Sequence, residues 1–301
     1  MAKLQGSFTA MITPMLDDGS VDYDGFAQNV KFQLENGIDG LVPLGTSGET
    51  PTLDEDEEEK MLDIVFPLVK EFNKKNNRAV KVIVGAGSNN TRDAVRYTTR
   101  AKEKGADYAL VVTPYYNKPS DEGIFKHYEA VSKVGIPIIV YNIAGRTGKN
   151  ISVPLLKRIA DLPNIAGVKE ASGSIPQMME VIEKIALTHK DFSVLSGDDS
   201  LTLPLIACGG DGVISVVTNL IPQRMTDLVH NALSGKLQEA RSIHYSLQPL
   251  FRAAFCDGNP SSIKCAMNLR GIPAGTLRLP LVPAKPEAQE IIKEALKECN
   301  I

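Results

Sequence analysis

The chain has little of what most specialised proteins depend on. Its 301 residues include only four cysteines, Cys208, Cys256, Cys265 and Cys299, with no CxxC pair among them, which argues against a disulfide framework and a zinc-thiolate site. Its four histidines, His127, His189, His230 and His244, lie far apart without HExxH-like spacing. Each reads as a surface or packing residue, and no metal is expected. No apolar run approaches the roughly 18 residues of a membrane span. The opening segment, Met1-Ala2-Lys3-Leu4-Gln5-Gly6-Ser7, has no signal-peptide core. A net charge of -3, with Lys and Arg scattered along the chain, leaves no electrostatic footprint for nucleic acid or an anionic membrane. These absences leave a globular chain, 43% hydrophobic, expected in the cytoplasm with small molecules as partners. Its length suits one α/β barrel or two smaller domains.

Short β-branched runs alternate with amphipathic stretches, the mark of parallel βαβ units. The expected strands are Phe8 to Thr13, Gly40 to Leu44, Val80 to Gly85, Tyr108 to Thr113, Ile136 to Tyr141, Ile165 to Lys169, Ser193 to Ser196, and Gly212 to Val217. The fourth helix is expected from about Glu122 to Val134. The acidic cluster Asp54 to Glu59 opens the second, where negative charge favours a helix N-terminus. Eight such units fit a closed (β/α)8 TIM barrel over residues 1–234, with an open doubly wound sheet as the alternative. From residue 235 to 301 the pattern changes to helices without strands, about Lys236 to Ala254, Pro260 to Arg270 and Pro286 to Cys299, a C-terminal helical appendage.

Barrel enzymes react at the C-terminal ends of their strands. There the sequence places Gly45-Thr46-Ser47-Gly48-Glu49, Tyr115-Tyr116, Tyr141, Arg146, Lys169 and Gly197-Asp198-Asp199. Lys169 stands in an otherwise apolar strand, where desolvation favours the neutral amine, a nucleophile able to form a Schiff base. The competing reading lays its stem along the core and pairs its head with a carboxylate such as Glu170. Tyr141 on the preceding strand faces Lys169 across one inter-strand spacing and could shuttle protons. The Gly45 to Gly48 turn could hold a carboxylate on its backbone N–H groups or be structural punctuation. Arg146 is either a solvated loop charge or a bidentate carboxylate clamp. Gly85-Ala86-Gly87-Ser88 lacks a third glycine and reads as close packing at a strand end. The pair Asp198-Asp199 reads as helix capping.

These motifs, together with Val112-Thr113-Pro114-Tyr115-Tyr116, Tyr141-Asn142, Gly145-Arg146-Thr147-Gly148, Val168-Lys169-Glu170 and Gly209-Gly210-Asp211-Gly212-Val213-Ile214-Ser215, resemble the dihydrodipicolinate synthase and N-acetylneuraminate lyase family of pyruvate-dependent class I aldolases. The resemblance covers nearly the whole chain. It implies that Lys169 forms an imine with pyruvate and needs no cofactor. It also implies a proton relay of Thr46, Tyr141 and Tyr116, the last reaching in from a neighbouring subunit. Ser47 would hold the pyruvate carboxylate, with Gly197 and Ile214 bordering the same pocket, and a homotetramer built as a dimer of dimers is expected. Arg146 favours a second substrate with its own carboxylate, L-aspartate 4-semialdehyde, condensed at the entry to diaminopimelate and lysine biosynthesis. The alternative within the family is cleavage of N-acetylneuraminate or a 2-keto-3-deoxy sugar acid. Members inhibited by lysine bind it near the positions of Asn89, Asp93 and Tyr115, a possible effector site here, but Pro51, Glu55, Glu58 and Asp93 depart from the best-known pattern. Ala144 stands where many members have proline, and Asp257-Gly258 precedes Asn259-Pro260 in place of a Glu-Pro-like pair. A non-catalytic barrel that senses a keto acid is a further reading, since fold does not fix function. The lysine, two tyrosines and threonine exceed what binding alone requires.

Overall fold

A computed structural model of the protein describes residues 3–301. Eight strands are hydrogen-bonded in chain order into one closed barrel: β1 (Gly6–Ala10), β2 (Gly40–Val42), β3 (Lys81–Gly85), β4 (Tyr108–Val112), β5 (Ile138–Asn142), β6 (Ile165–Glu170), β7 (Ser193–Ser196) and β8 (Gly212–Ser215). The pairings from β1 through β8 are parallel. Strands of a parallel barrel are covered on both faces, which is why they read as near-continuous apolar runs; every residue of β1, β5 and β6 is buried. The (β/α)8 expectation therefore holds, and the open-sheet alternative does not.

β1, β2, β4 and β8 stop short of their expected ends, β3 and β7 end where expected, and β5 and β6 run one residue further, to Asn142 and Glu170. Beyond β1 the amide of Ile12 donates to the Asn219 side chain at 3.1 Å, so Phe8 to Thr13 does not run on as a strand. Helices α1 (Tyr23–Glu35), α2 (Glu55–Asn76), α3 (Thr91–Glu103), α4 (Asp121–Ser132), α5 (Ala144–Thr147), α6 (Val153–Ala160) and α7 (Ile175–Val181) follow the strands. The acidic cluster does open α2: the Asp54 carboxylate accepts from the Glu57 amide, and the Glu57 carboxylate accepts from the Asp54 amide, a reciprocal cap. The expected single helix from Lys236 to Ala254 is two, Leu237–Ser246 and Gln248–Ala253, because Pro249 lacks an amide hydrogen to continue the first. Gly87 is the close-packing position its motif suggested, since a Cβ there would lie 2.4 Å from the Val112 amide nitrogen.

The chain forms two compact units. One runs from Ile83 to Ile214 and includes residues 3–6. Its core gathers Val140 and Val168 of the sheet with Ile124, Tyr128 and Val131 of α4, Leu155, Leu156 and Ile159 of α6, and Met178 of α7. The segment before β1 is tied to this unit by Asp211, which accepts from Gln5 Nε2 at 3.0 Å and pairs with Lys3 at 2.9 Å. The other unit spans Ser7–Val82 and Ser215–Ile301. It buries Phe26, Val30 and Leu34 of α1 and Met61, Leu62 and Val65 of α2.

Candidate active site

Residues alternate across a strand, so Lys169 and Glu170 of β6 face opposite ways. Lys169 is only 5% exposed. It stands in register with Tyr141 of β5, and its Nζ lies 4.2 Å from the centre of the Tyr141 ring. The two groups expected to meet are thus brought together. The competing reading, a Lys169–Glu170 pair, fails because the carboxylate of Glu170 is held elsewhere: it accepts from Asn142 Nδ2 at 3.0 and 3.1 Å, the Ser172 amide at 2.7 Å and Gln177 Nε2 at 3.1 Å. Burial pulls the Lys169 ammonium from its ordinary value down to about 7; the Asp199 carboxylate opposes that shift, and the Arg146 guanidinium adds to it. Near neutrality a large share of the amine is uncharged and nucleophilic.

Gly197, just beyond β7, makes room for the lysine stem. A Cβ at this position would sit 3.0 Å from Lys169 Cε and 2.7 Å from the Ala171 Cβ. The neighbouring acidic pair splits in role. Asp198 is a cap, as its sequence suggested, accepting from the Ser200 amide at 2.8 Å. Asp199 is buried and acts on the lysine electrostatically. Sequence reasoning missed it because two adjacent carboxylates before a helix read alike. The available signal was position: Asp199 lies in the turn that follows the strand next to the one that carries Lys169.

Arg146 is exposed on the four-residue helix α5, close enough to Lys169 for its charge to be felt. Ile214 is buried within β8. Tyr116 is 88% exposed with φ of 70°, a left-handed backbone that a bulky side chain rarely adopts. Its side chain is thus not packed among its own chain's core residues. Asn89 accepts on its carbonyl from Asn117 Nδ2 at 2.9 Å, which links the loops that carry Asn89 and Tyr115. Asp93 is engaged locally, accepting from Asn90 Nδ2 at 2.7 Å.

In the other unit, Thr46, Ser47 and Gly48 form one turn of 3₁₀ helix after β2. Ser47 is buried, its Oγ accepting from Asn259 Nδ2 at 3.0 Å. The turn ends on Glu49, left-handed at φ 55° and fully buried, whose carboxylate pairs with Lys264 at 2.8 Å. Lys264, which sequence reasoning also missed, completes its donors on the carbonyls of Thr13 and Thr276. The Glu49 carboxylate further accepts from the Arg278 amide at 3.1 Å. A buried, fully bonded ion pair thus backs the Thr46–Ser47 turn. Among the described residues no group of histidines, cysteines and carboxylates could hold a metal ion, and no helix is long and apolar enough to cross a membrane.

A closed parallel barrel with a desolvated lysine at a strand end and a tyrosine over its amine defines a class, the barrel lyases that work through a lysine Schiff base. Within that class the chain belongs to the dihydrodipicolinate synthetase family, whose pattern it matches over residues 3–299. It is 47% identical to the 4-hydroxy-tetrahydrodipicolinate synthase of Protochlamydia amoebophila over 98% of this chain and 96% of that one. It also superposes on the 4-hydroxy-tetrahydrodipicolinate synthase of Methylacidiphilum fumariolicum with a TM-score of 0.93 and 39% identity, covering 99% of this chain and 96% of the other. A monomeric dihydrodipicolinate synthase variant is similar too, with a TM-score of 0.91 and 41% identity over 99% of this chain and 97% of its own.

Proposed function

We propose that the chain is a lyase that condenses pyruvate with L-aspartate 4-semialdehyde, the 4-hydroxy-tetrahydrodipicolinate synthase reaction of diaminopimelate and lysine biosynthesis. The observation that carries this reading is the buried Lys169 amine above the Tyr141 ring. Lys169 attacks the keto carbon of pyruvate and water leaves, giving an imine in which the protonated nitrogen draws electrons from the adjacent methyl group. Loss of a methyl proton gives the enamine, whose carbon adds to the aldehyde. The amino group of the second substrate then displaces Lys169 and closes the ring. Tyr141 is assigned the proton transfers at the amine. Thr46 and Tyr116 are assigned to the same relay on the family pattern alone. Ser47 is assigned the pyruvate carboxylate, with Gly197 and Ile214 at its border, and Arg146 the carboxylate of the aldehyde. The reaction is assigned to the lysine without a cofactor, in the cytoplasm, within a homotetramer; Asn89, Asp93 and Tyr115 stand as the candidate effector site.

Incubation with pyruvate and a borohydride reductant should leave a covalent adduct on the peptide that contains Lys169, and absence of that adduct would end the proposal. Turnover of aspartate semialdehyde, set against cleavage of N-acetylneuraminate and 2-keto-3-deoxy sugar acids, decides the second substrate. Arg146→Ala should weaken the condensation by about 1.5–3 kcal/mol, the size of a hydrogen bond to a charged group. An unchanged rate removes Arg146 from the assigned role.

A further inference from the structure

Behind the strand ends that carry Tyr141 and Lys169 lies a buried polar network with Glu170 at its centre. Glu170 is fully buried, and its oxygens meet only donors, from Asn142 on β5, from the Ser172 amide in the turn after β6, and from Gln177 on α7. A carboxylate is an acceptor on every lone pair, so each donor is matched. The network also takes hold of the excursion that carries Arg146. That excursion leaves the sheet at Asn142, forms α5, and returns to the core at Ile151, which is buried. Its start is Asn142, whose Nδ2 donates to Glu170 and to Asn150 Oδ1 at 2.9 Å. Its end is fixed twice: the Ile151 amide donates to Asn142 Oδ1 at 3.0 Å, and Asn150 Nδ2 donates to Gln177 Oε1 at 2.9 Å. Gln177 in turn donates to Glu170, so both feet of the Arg146 excursion rest on one carboxylate.

We propose that Glu170, acting through Asn142, Asn150 and Gln177, is the positioning residue that aims Arg146 and so sets recognition of the second substrate. Within the excursion, the buried Thr147 hydroxyl bonds the carbonyls of Ile143 and Lys149, and Lys149 pairs with Asp121 at 2.8 Å. Gly145 and Arg146 are exposed, and α5 is a single turn that ends on Gly148 in the left-handed region at φ 71°. Lys169 stands on the opposite face of β6 and is anchored by the barrel ladder, in register with Tyr141 on one side and Leu195 on the other. Imine formation with pyruvate therefore depends on the ladder, and capture of the aldehyde on the network. Glu170→Gln turns an acceptor into a donor against donors. Asn150→Ala, at an exposed position, removes the Asn150 tie at the end of the excursion, leaves the Ile151 one, and buries no unmatched charge.

The inference rests on the proposed condensation, and the test separates the two. In full-length protein, both variants are compared with the wild type for the KM of pyruvate, the rate of reductive trapping with pyruvate, and the KM of aspartate semialdehyde, with thermal unfolding as a check on folding. A misplacement near 1 Å costs up to about 100-fold, and we expect the aldehyde KM to rise about tenfold or more while trapping and the pyruvate KM stay within about twofold. Failure of the wild type to trap pyruvate overturns the parent reading. Normal trapping with an unchanged aldehyde KM in a folded variant overturns this one, as does an equal loss in all three measurements. Should Glu170→Gln not fold, Asn150→Ala decides alone.

Discussion

Among the described residues two lysines are buried, and burial by itself does not say which is the nucleophile. Lys264 is 1% exposed, deeper than Lys169, and burial lowers its pKa while Glu49 resists. An ammonium has three donors, and those of Lys264 go to the carboxylate of Glu49 and the carbonyls of Thr13 and Thr276. A lone pair on that nitrogen would forfeit one of the three bonds and turn it against an acceptor oxygen. Lys169 has the Tyr141 ring face instead, with the Asp199 carboxylate supporting its charge and Arg146 against it. Its proton is therefore the one that leaves near neutrality. The sign follows: the neutral fraction of an amine with a pKa of about 7 grows about tenfold from pH 6 to 8 and then levels off. Cyanoborohydride trapping at low, fixed pyruvate should trace that curve on the Lys169 peptide. An ordinary lysine would instead gain about tenfold with every pH unit up to its pKa near 10.4, with no plateau at 8, and such a profile would show that the site leaves the amine unperturbed.

The same physics acts between elements at His127, a histidine with no part in the chemistry. It lies buried on α4, its Nδ1 3.0 Å from the Thr91 hydroxyl at the start of α3 and its ring edge-on to Tyr128. Burial pulls its pKa to about 4. The unfolded chain takes up the proton near pH 6.5 and the folded chain resists, so this group's contribution is intact above 6.5 and lost as pH falls toward 4. The whole loss is about 3 kcal/mol. Urea unfolding of His127→Gln at pH 7, 5.5 and 4 should show a shallower acid loss than the wild type by about that amount. Parallel curves would mean that the α3–α4 contact tolerates the charged ring. What was legible in the sequence follows the reach of each signal. Strand-helix alternation is local and repeats, so the barrel and the facing of Tyr141 and Lys169 could be read from it. The end of β1 could not, because the bond that stops it comes from Asn219, more than 200 residues away. The Glu170 network was invisible for the same reason: Asn142, Asn150 and Gln177 are ordinary polar residues until the fold sets them around one carboxylate. Lys264 was hidden likewise, since its partners come from both ends of the chain.

For the molecule as a whole, Tyr116 raises the question of what surrounds it. An aromatic side chain 88% exposed, on a backbone at φ 70°, is held in a costly conformation with little of its surface covered by its own chain. Strain of this kind persists where the surrounding structure fixes it, and an exposed tyrosine is suited to an interface with one wet end. A second copy of the chain is the natural occupant if the assigned relay is right, because symmetric pairing gives each subunit the other's Tyr116. Subunit mixing tests this directly. Lys169→Ala and Tyr116→Phe should each be nearly inactive alone. Dissociated and reassociated at equal amounts, they form hybrids in which one site has an intact Lys169 from one chain and an intact Tyr116 from the other, restoring about a quarter of wild-type activity for random pairing of dimers. If Tyr116 serves its own chain, every site in every hybrid lacks one of the two groups, and the mixture will show no more activity than its parents.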